Sequence, residues 1–255
     1  MNEKREAIDG IIGFYNKSGC CSMTEAYLKT DRMLKLKCEV LNFINNKPSL
    51  NILDIGTGNG EFIYRLSNQC PQHHFFGCDI SEDIIQQNII EKTTVKWSVE
   101  NINTRTSYSN DYFDIVIAGE VIEHMYDTDS FILEIKRILK IKGLLFISTP
   151  NLSSWIDRLT LLLGWQPLST EVSNVHRAFG REGFYKMLRV SGDSQSAGHL
   201  RCFSRGALYS FLKYYKFNVI KDIPCHLHNF LINRIITRVF PRLSQQMLLI
   251  AVREF

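Results

Sequence analysis

Residues Asn51 to Phe62 read NILDIGTGNGEF. Ile52, Leu53 and Ile55 form a short apolar run behind Pro48 and Asn51, the pattern of a buried strand. Gly56, Gly58 and Gly60 follow at alternate positions. The next stretch, EFIYRLSNQC, puts Phe62, Ile63 and Leu66 at helical spacing, so the glycines occupy a strand-to-helix turn. Glycine permits unusual φ there and lets a ligand approach bare backbone. The helix that follows starts with unbonded N–H groups and a partial positive charge, which suit a carboxylate or phosphate. The spacing is GxGxG. Glu61 stands where the dinucleotide fingerprint carries its third glycine, which argues against a nicotinamide oxidoreductase.

The chain has 255 residues, 45% hydrophobic and 22% charged, enough for one generous domain with a sizeable core. Charge is unevenly placed. From Arg201 to Phe255 there are nine Lys+Arg against two Asp+Glu, a net of +7, which leaves −3 for residues 1–200. Such a basic end faces an acidic substrate, RNA or an anionic membrane surface, or is simply a solvated face. The seven cysteines are odd in number and contain no CxxC, so free thiols in a reducing compartment are expected. Cys225-His226-Leu227-His228 lacks a second cluster and is read as coincidence. No secretory leader and no apolar run of spanning length are visible, so the expected compartment is the cytoplasm.

In chain order, residues 3–16 suggest a short helix. Ser22 and Glu25 form a capping box before a longer helix through Ile44. Strands are expected at His74–Asp79, Thr94–Val99, Phe113–Ala118 and Gly143–Thr149, with helices beginning after Ser81 and over Asp127–Lys140. This alternation predicts an α/β fold, doubly wound around a mostly parallel sheet. Asn151 to Glu182 breaks the rhythm. An apolar helix around Trp155–Leu163 leads into a loop-like stretch to His199, as lids and binding loops do. Ser204 caps another helix. Strands at Phe217–Lys221 and Met247–Val252, separated by a basic apolar helix over Asn229–Phe240, complete seven strands with an antiparallel edge.

Taken together, LDIGTGNG (Leu53–Gly60), CDIS (Cys78–Ser81), FDIVIAGEVIEH (Phe113–His124) and STPN (Ser148–Asn151) resemble the class I S-adenosylmethionine-dependent methyltransferases. Within them the chain is similar to the type 11 group that includes the ubiquinone-biosynthesis O-methyltransferases. GHLRCFSRGALYSFL (Gly198–Leu212) is similar to a segment common in methyltransferases of glycan, lipid and natural-product pathways. The resemblance implies one domain over residues 1–255: a helical cap (1–47), a cofactor-binding core (48–150), a lid or substrate segment (151–200), and a C-terminal completion of the sheet (201–255). It implies S-adenosyl-L-methionine as cofactor, with Gly56, Thr57, Gly58 and Gly60 under its methionine part and Asp54 supporting the turn. Asp79 would accept both ribose hydroxyls. Ile80 and Ile102 would flank the adenine, Asn101 would accept from its amino group, and Ala118 and Gly119 would lie beside the methionine amine and sulfonium.

A hydroxyl acceptor also needs a base, and histidine has the fitting pKa. His199 and His124 are the candidates, ahead of His176, with Arg201 placed to hold an anionic acceptor. Glu120, Glu123 and His124 lie three and four apart and offer a divalent-cation site. Capping acids beside a pocket-lining histidine are the preferred reading of that run. Trp155, Leu159, Leu162, Leu163 and Trp165 look like a cover for an apolar substrate. Arg234 and Arg238 share a helix with Phe230, Leu231, Ile235 and Val239; packing on the sheet is preferred there to contact with anionic lipid. The expected activity is methylation of a small molecule, at oxygen, on a quinone precursor, lipid, glycan or secondary metabolite. RNA as the substrate, and a cofactor-binding regulatory module without catalysis, are the alternatives.

Overall fold

The computed structural model describes residues 24–188, 196–226 and 231–255. The expected helix at 3–16, Ser22 of the capping box, Cys20, Cys21, Leu227, His228, Asn229 and Phe230 lie outside them. Of the described cysteines, Cys38, Cys70, Cys78, Cys202 and Cys225 are all free thiols.

Seven strands form one sheet: β1 (Asn51–Ile55), β2 (His74–Asp79), β3 (Lys96–Val99), β4 (Phe113–Gly119), β5 (Leu139–Pro150), β6 (Phe217–Cys225) and β7 (Gln246–Arg253). Their order is β3-β2-β1-β4-β5-β7-β6. β1 pairs in parallel with β2 and β4, β2 with β3, and β4 with β5. β7 runs antiparallel to both its neighbours, β5 and β6. The order reverses direction at β1 and β4, and a crevice opens beyond the carboxyl ends of those strands.

Both faces of the sheet are covered, which explains the near-continuous apolar runs. Strand alternation divides them. Leu53, Ile55, Val116, Leu145, Ile147, Leu249 and Ala251 enter one core, with Phe131, Ile132, Ile135 and Ile138 of the facing helix (Thr128–Ile138). Ile52, Ile115, Ile117, Phe146, Leu248 and Ile250 enter the other, with Met33, Leu36, Val40 and Ile44 of the helix Asp31–Ile44.

Several boundaries differ from the sequence reading. The first long helix is broken: a turn of helix, Glu25–Leu28, is capped by Thr24, whose Oγ1 accepts from the Tyr27 N–H at 3.3 Å. The helix expected through Lys140 stops at Ile138, because β5 starts at once with Leu139 paired to Phe113. The register then breaks before Ile115–Leu144, and Lys142 turns through φ 65°. The helix Glu82–Glu91 starts after Ser81, but without a side-chain cap bond. The expected loop carries one further helix, Glu182–Leu188.

Two apolar helices face outward instead of inward. In the helix Trp155–Leu162 and the turn after it, Leu159, Leu161, Leu162 and Leu163 are exposed. Leu231, Ile235 and Val239 of the helix Leu231–Val239 are more than half exposed, so the expected packing on the sheet is not found. The two helices hold each other by a polar contact, Trp155 Nε1 donating to Asn233 Oδ1 at 3.1 Å. No helix of the described residues is long and apolar enough to cross a membrane.

Candidate active site

The glycine turn is built as the sequence implies, but its three glycines have different reasons. Gly56, Gly58 and Gly60 take φ of 64°, 54° and 67°. Gly56 and Gly58 line a cavity of about 330 Å³. Gly60 does not. A Cβ on Gly60 would sit 2.3 Å from Trp97 Cη2, so this glycine makes room for an indole. Trp97 is fixed by its Nε1, which donates to Lys92 O at 2.8 Å. The turn is braced from behind by Asn88, whose Nδ2 donates to Gly58 O at 2.9 Å. Asp54 and Thr57 lie under the turn, outside the cavity lining, with Thr57 Oγ1 donating to Asp54 Oδ2 at 3.0 Å. Burial pushes the Asp54 carboxyl up to about 7, against that hydrogen bond.

Asp79 ends β2 on the cavity wall. Its Oδ2 accepts from the Gly58 N–H at 2.9 Å and its Oδ1 from the Ser81 N–H at 3.1 Å. A carboxylate has about four acceptor positions, so acceptor capacity remains for a ligand. Burial raises its pKa, and these N–H donors oppose the rise. Ile80, Asn101, Ile102 and Gly119 also line the cavity; Ala118 is buried in the core instead. Asn101 Oδ1 accepts from the Asn103 N–H at 3.0 Å, which already occupies one lone pair of the amide oxygen.

Beyond β4 the chain kinks. Glu120 holds φ 60°, and Ile122–His124 forms a single 3-10 turn. The three-and-four spacing therefore does not put Glu120 beside His124 on one helical face. Glu120 faces the sheet end. Its Oε1 accepts from Ser148 Oγ at 3.2 Å and lies 3.6 Å from Arg32 Nε, and its Oε2 accepts from Gln246 Nε2 at 2.8 Å. Arg32 is buried, donates to Ser148 Oγ at 3.1 Å and to the Tyr27 hydroxyl, and so ties the first helices to the tip of β4.

The residue that does meet Glu123 and His124 is His199. One ligand atom from each of Glu123, His124 and His199 lies within 4.8 Å of the others, and the two rings are 5.1 Å apart. His124 Nδ1 is 3.1 Å from Gly198 O, and His199 Nδ1 is 3.2 Å from Ser169 O. A carbonyl oxygen only accepts, so each Nδ1 carries a hydrogen. Burial, and next the charge of His199, push His124 down to about 4, so it is neutral at physiological pH. Glu123 is buried, with Thr149 Oγ1 donating to its Oε2 at 3.0 Å and its Oε1 without a partner among the described residues. Burial, and next the neighbouring Glu120 carboxylate, raise its pKa well above the ordinary carboxylate range.

His199 is held by a residue that the sequence reading passed over. Glu171 Oε2 accepts from Ser196 Oγ at 2.7 Å and from the N–H groups of Gly198 and His199 at 2.8 and 3.1 Å, while Oε1 accepts from Ala197 N–H at 3.0 Å. Arg177 Nε lies 3.2 Å from Oε1. Burial alone would raise this carboxyl, but the hydrogen bonds outweigh it and bring it down to about 2. Nothing local marks Glu171, because its partners lie far along the chain.

Trp155, Leu159, Leu162, Leu163 and Trp165 do not line the cavity; among the described residues of 151–200 only Ala197 and His199 do. Asp157 explains the turning away. It is buried and accepts from the Leu168 N–H at 2.6 Å, which folds the return loop against its own helix. His176 is outside the lining too, its Nδ1 accepting from the Ala178 N–H at 3.1 Å. Arg201 donates from Nη2 to Tyr126 O at 2.9 Å and is not in the lining. Tyr27, Glu100, Asn103, Val121 and Met125 line the cavity without having been singled out from sequence.

The sequence model of a family described as a methyltransferase domain matches residues 46–191, more than half of the chain. The ubiquinone biosynthesis O-methyltransferase of Rickettsia canadensis is 30% identical over 168 residues, covering 60% of this chain and 66% of that protein. That of Bartonella bacilliformis is 33% identical over 132 residues, covering 48% and 51%. The chain thus spans about half to two thirds of the length of these relatives. Among solved structures, the N-methyltransferase NodS of Bradyrhizobium japonicum, bound to S-adenosyl-L-homocysteine, superposes with a TM-score of 0.58 at 12% identity over 94% of this chain and 98% of its own. At that identity the likeness speaks for the fold alone.

Proposed function

The chain belongs to the methyltransferase domain family; from that premise we propose that it is an S-adenosylmethionine-dependent enzyme that methylates a hydroxyl oxygen of a small acceptor, a quinone precursor first among the candidates. The cavity fits the cofactor on its own terms. A Cβ on Gly56 would sit 2.7 Å from Val121 Cγ2, so the backbone there stays bare, and the Asp79 carboxylate keeps acceptor capacity at the cavity wall. Gly56 and Gly58 would pass under the methionine part, Asp79 would accept the ribose hydroxyls, and Ile80 and Ile102 would flank the base. When bound, S-adenosylmethionine supplies an already activated methyl group.

The observation that carries the choice of oxygen is the imidazole pair. His199 lines the cavity and would offer its Nε2 to the acceptor, the ring being held by the Nδ1 contact with Ser169 O and by the backbone tether to Glu171. A positioned base of this kind removes the acceptor's hydroxyl proton as the oxygen attacks, which is worth roughly 10²–10⁴-fold. Positioning in line with the donor supplies much of the remainder. The relatives named above act in ubiquinone biosynthesis, which is why a phenolic hydroxyl is tested first.

A second reading is favoured by one specific observation, the unpartnered Glu123 Oε1 beside two Nδ1-donating histidines. Carboxylate plus imidazole, with each ring held through its other nitrogen, is the donor set and support of a divalent-cation site. Glu123, His124 and His199 would hold the ion and orient the acceptor's oxygen. Mass spectrometry of pooled metabolites incubated with the protein and deuterated-methyl cofactor tests the main reading. A labelled oxygen supports it; a label on nitrogen, carbon or RNA, or on no acceptor at all, defeats it. Manganese binding by electron paramagnetic resonance, in the wild type and Glu123→Gln, separates His199 as base from His199 as ligand. Tight binding lost in the variant favours the ion; none at millimolar manganese leaves the base.

A further inference from the structure

A second cavity, of about 390 Å³, lies away from the crevice, against the β6 edge of the sheet. Three arginines from three elements line it: Arg158 of the outward-facing helix Trp155–Leu162, Arg205 at the start of the helix Arg205–Tyr214, and Arg242 in the turn Pro241–Leu243. One carboxylate opposes them. Asp222 is occupied on both oxygens, by Arg205 Nη1 and by the Tyr209 hydroxyl at 3.1 Å. Arg205 is therefore neutralised, and the other two are not. Arg158 uses only its Nε, donating to Ser153 O at 2.9 Å, and the Arg242 side chain has no hydrogen bond or ion pair among the described residues.

The buried member carries the second signal. Arg205 is 6% exposed, donates from Nη2 to Ser244 Oγ at 2.7 Å, and leaves its Nε without a partner among the described residues. A buried N–H left unsatisfied is costly. The helix start adds to the field. Ser204 Oγ accepts from the Ala207 N–H at 3.2 Å, and the turn's other leading N–H groups belong to Arg205 and Gly206. Gly206 lines the cavity, and a Cβ there would meet nothing within 4 Å, so the backbone is open to a ligand. Planar guanidinium forks converging from separate elements suit an anion with several oxygens, and a helix start suits its charge.

We propose that this cavity binds a phosphate group. Its source is a free phosphomonoester or the headgroup of an anionic lipid. The lipid source has its own motive: the exposed apolar Val239 and Phe240 lead directly into the turn that carries Arg242. The cavity is also coupled to the crevice by chain. Ala197 and His199 line one, Gly206 lines the other, and Phe203 between them bridges to Asn151 at the end of β5. The site does not depend on methyl transfer.

The test uses the whole chain, in wild type and Arg158→Ala/Arg242→Ala, two exposed positions whose removal leaves no buried partner. Calorimetry with inorganic phosphate, glycerol 3-phosphate and acetate at fixed ionic strength is run beside sedimentation with phosphatidic acid or phosphatidylcholine vesicles. S-adenosylmethionine binding confirms that the variant is folded. Saturable phosphate binding, weakened about tenfold or more in the double variant and far weaker for acetate, supports a free phosphomonoester. Retention on phosphatidic acid vesicles alone, lost in the variant, supports the headgroup. Equal behaviour of wild type and variant on every probe, or no binding to any, overturns the proposal.

Discussion

Replacing Glu171 by Gln removes the charge that holds four donors of the returning segment. The size of the effect follows from its acidity. A carboxyl held at about 2 instead of 4.5, on a side chain only 3% exposed, means that the folded loop favours the ionised form by about 3 kcal/mol. The neutral amide forfeits most of that, and its NH2 group faces N–H donors. The segment should then open roughly 10²-fold more often, without the sheet unfolding. Native-state hydrogen exchange reads this directly. The Ala197, Gly198 and His199 amides should exchange about 10²-fold faster in Glu171→Gln, while amides of β1 and β4 keep their rates. Turnover should fall with little change in cofactor affinity, because Asp79 is untouched. The wild type should show the same loosening in acid: a depressed carboxylate stabilises fully above pH 4.5 and loses that contribution as the pH falls towards 2. Unchanged exchange at Ala197–His199 in the variant would refute the reasoning, whatever happened to activity.

Three further outcomes follow from the crevice. Asp79→Asn should weaken S-adenosylmethionine binding about 10–100-fold by calorimetry, the worth of charge-assisted bonds to a diol. Asp54→Asn should flatten the pH dependence of stability. The wild-type carboxyl stays protonated up to about 7 when folded and ionises near 4 when unfolded, so the folded state binds more protons in between and loses stability as pH rises. Unfolding free energies from denaturant titrations at pH 5 and 8 should differ by up to roughly 3 kcal/mol more in the wild type than in the variant. Gly60→Ala should lower stability by roughly 1–3 kcal/mol through the clash with Trp97, and Trp97→Leu in the same chain should recover part of it in a thermal melt; no loss in the single variant contradicts the packing.

The sheet was readable because its central strands are apolar on both faces, so Ile52 to Ile55 and Ile115 to Ile117 announce themselves without any partner in view. The crevice wall was readable for a related reason: Gly56, Gly58 and Asp79 sit at strand ends, where a short motif contains most of the geometry. What was hidden depends on distant partners. Nothing near Glu171 says that it gathers the amides of 197–199, and nothing near Arg32 says that it reaches Glu120 and Ser148. Periodicity showed that the helix Leu231–Val239 has an apolar face but not whether anything covers it, and it is largely bare. Gly60 was expected under the methionine part of a cofactor, and the Trp97 indole lies where its Cβ would stand; a ligand and an indole edge both call for a missing Cβ, so the sequence alone does not tell them apart.

The position of β7 bears on how the protein comes into being. The strand nearest the end of the sequence is threaded between two that are synthesised before it, so β5 and β6 cannot meet each other and must wait. Until Gln246–Arg253 leaves the ribosome, each offers a naked margin of amides and carbonyls, the template for joining a stranger's strand. A nascent chain stalled just short of Gln246 would therefore be a gapped sheet prone to sticking, and a chaperone that shields those margins is the helper this topology calls for.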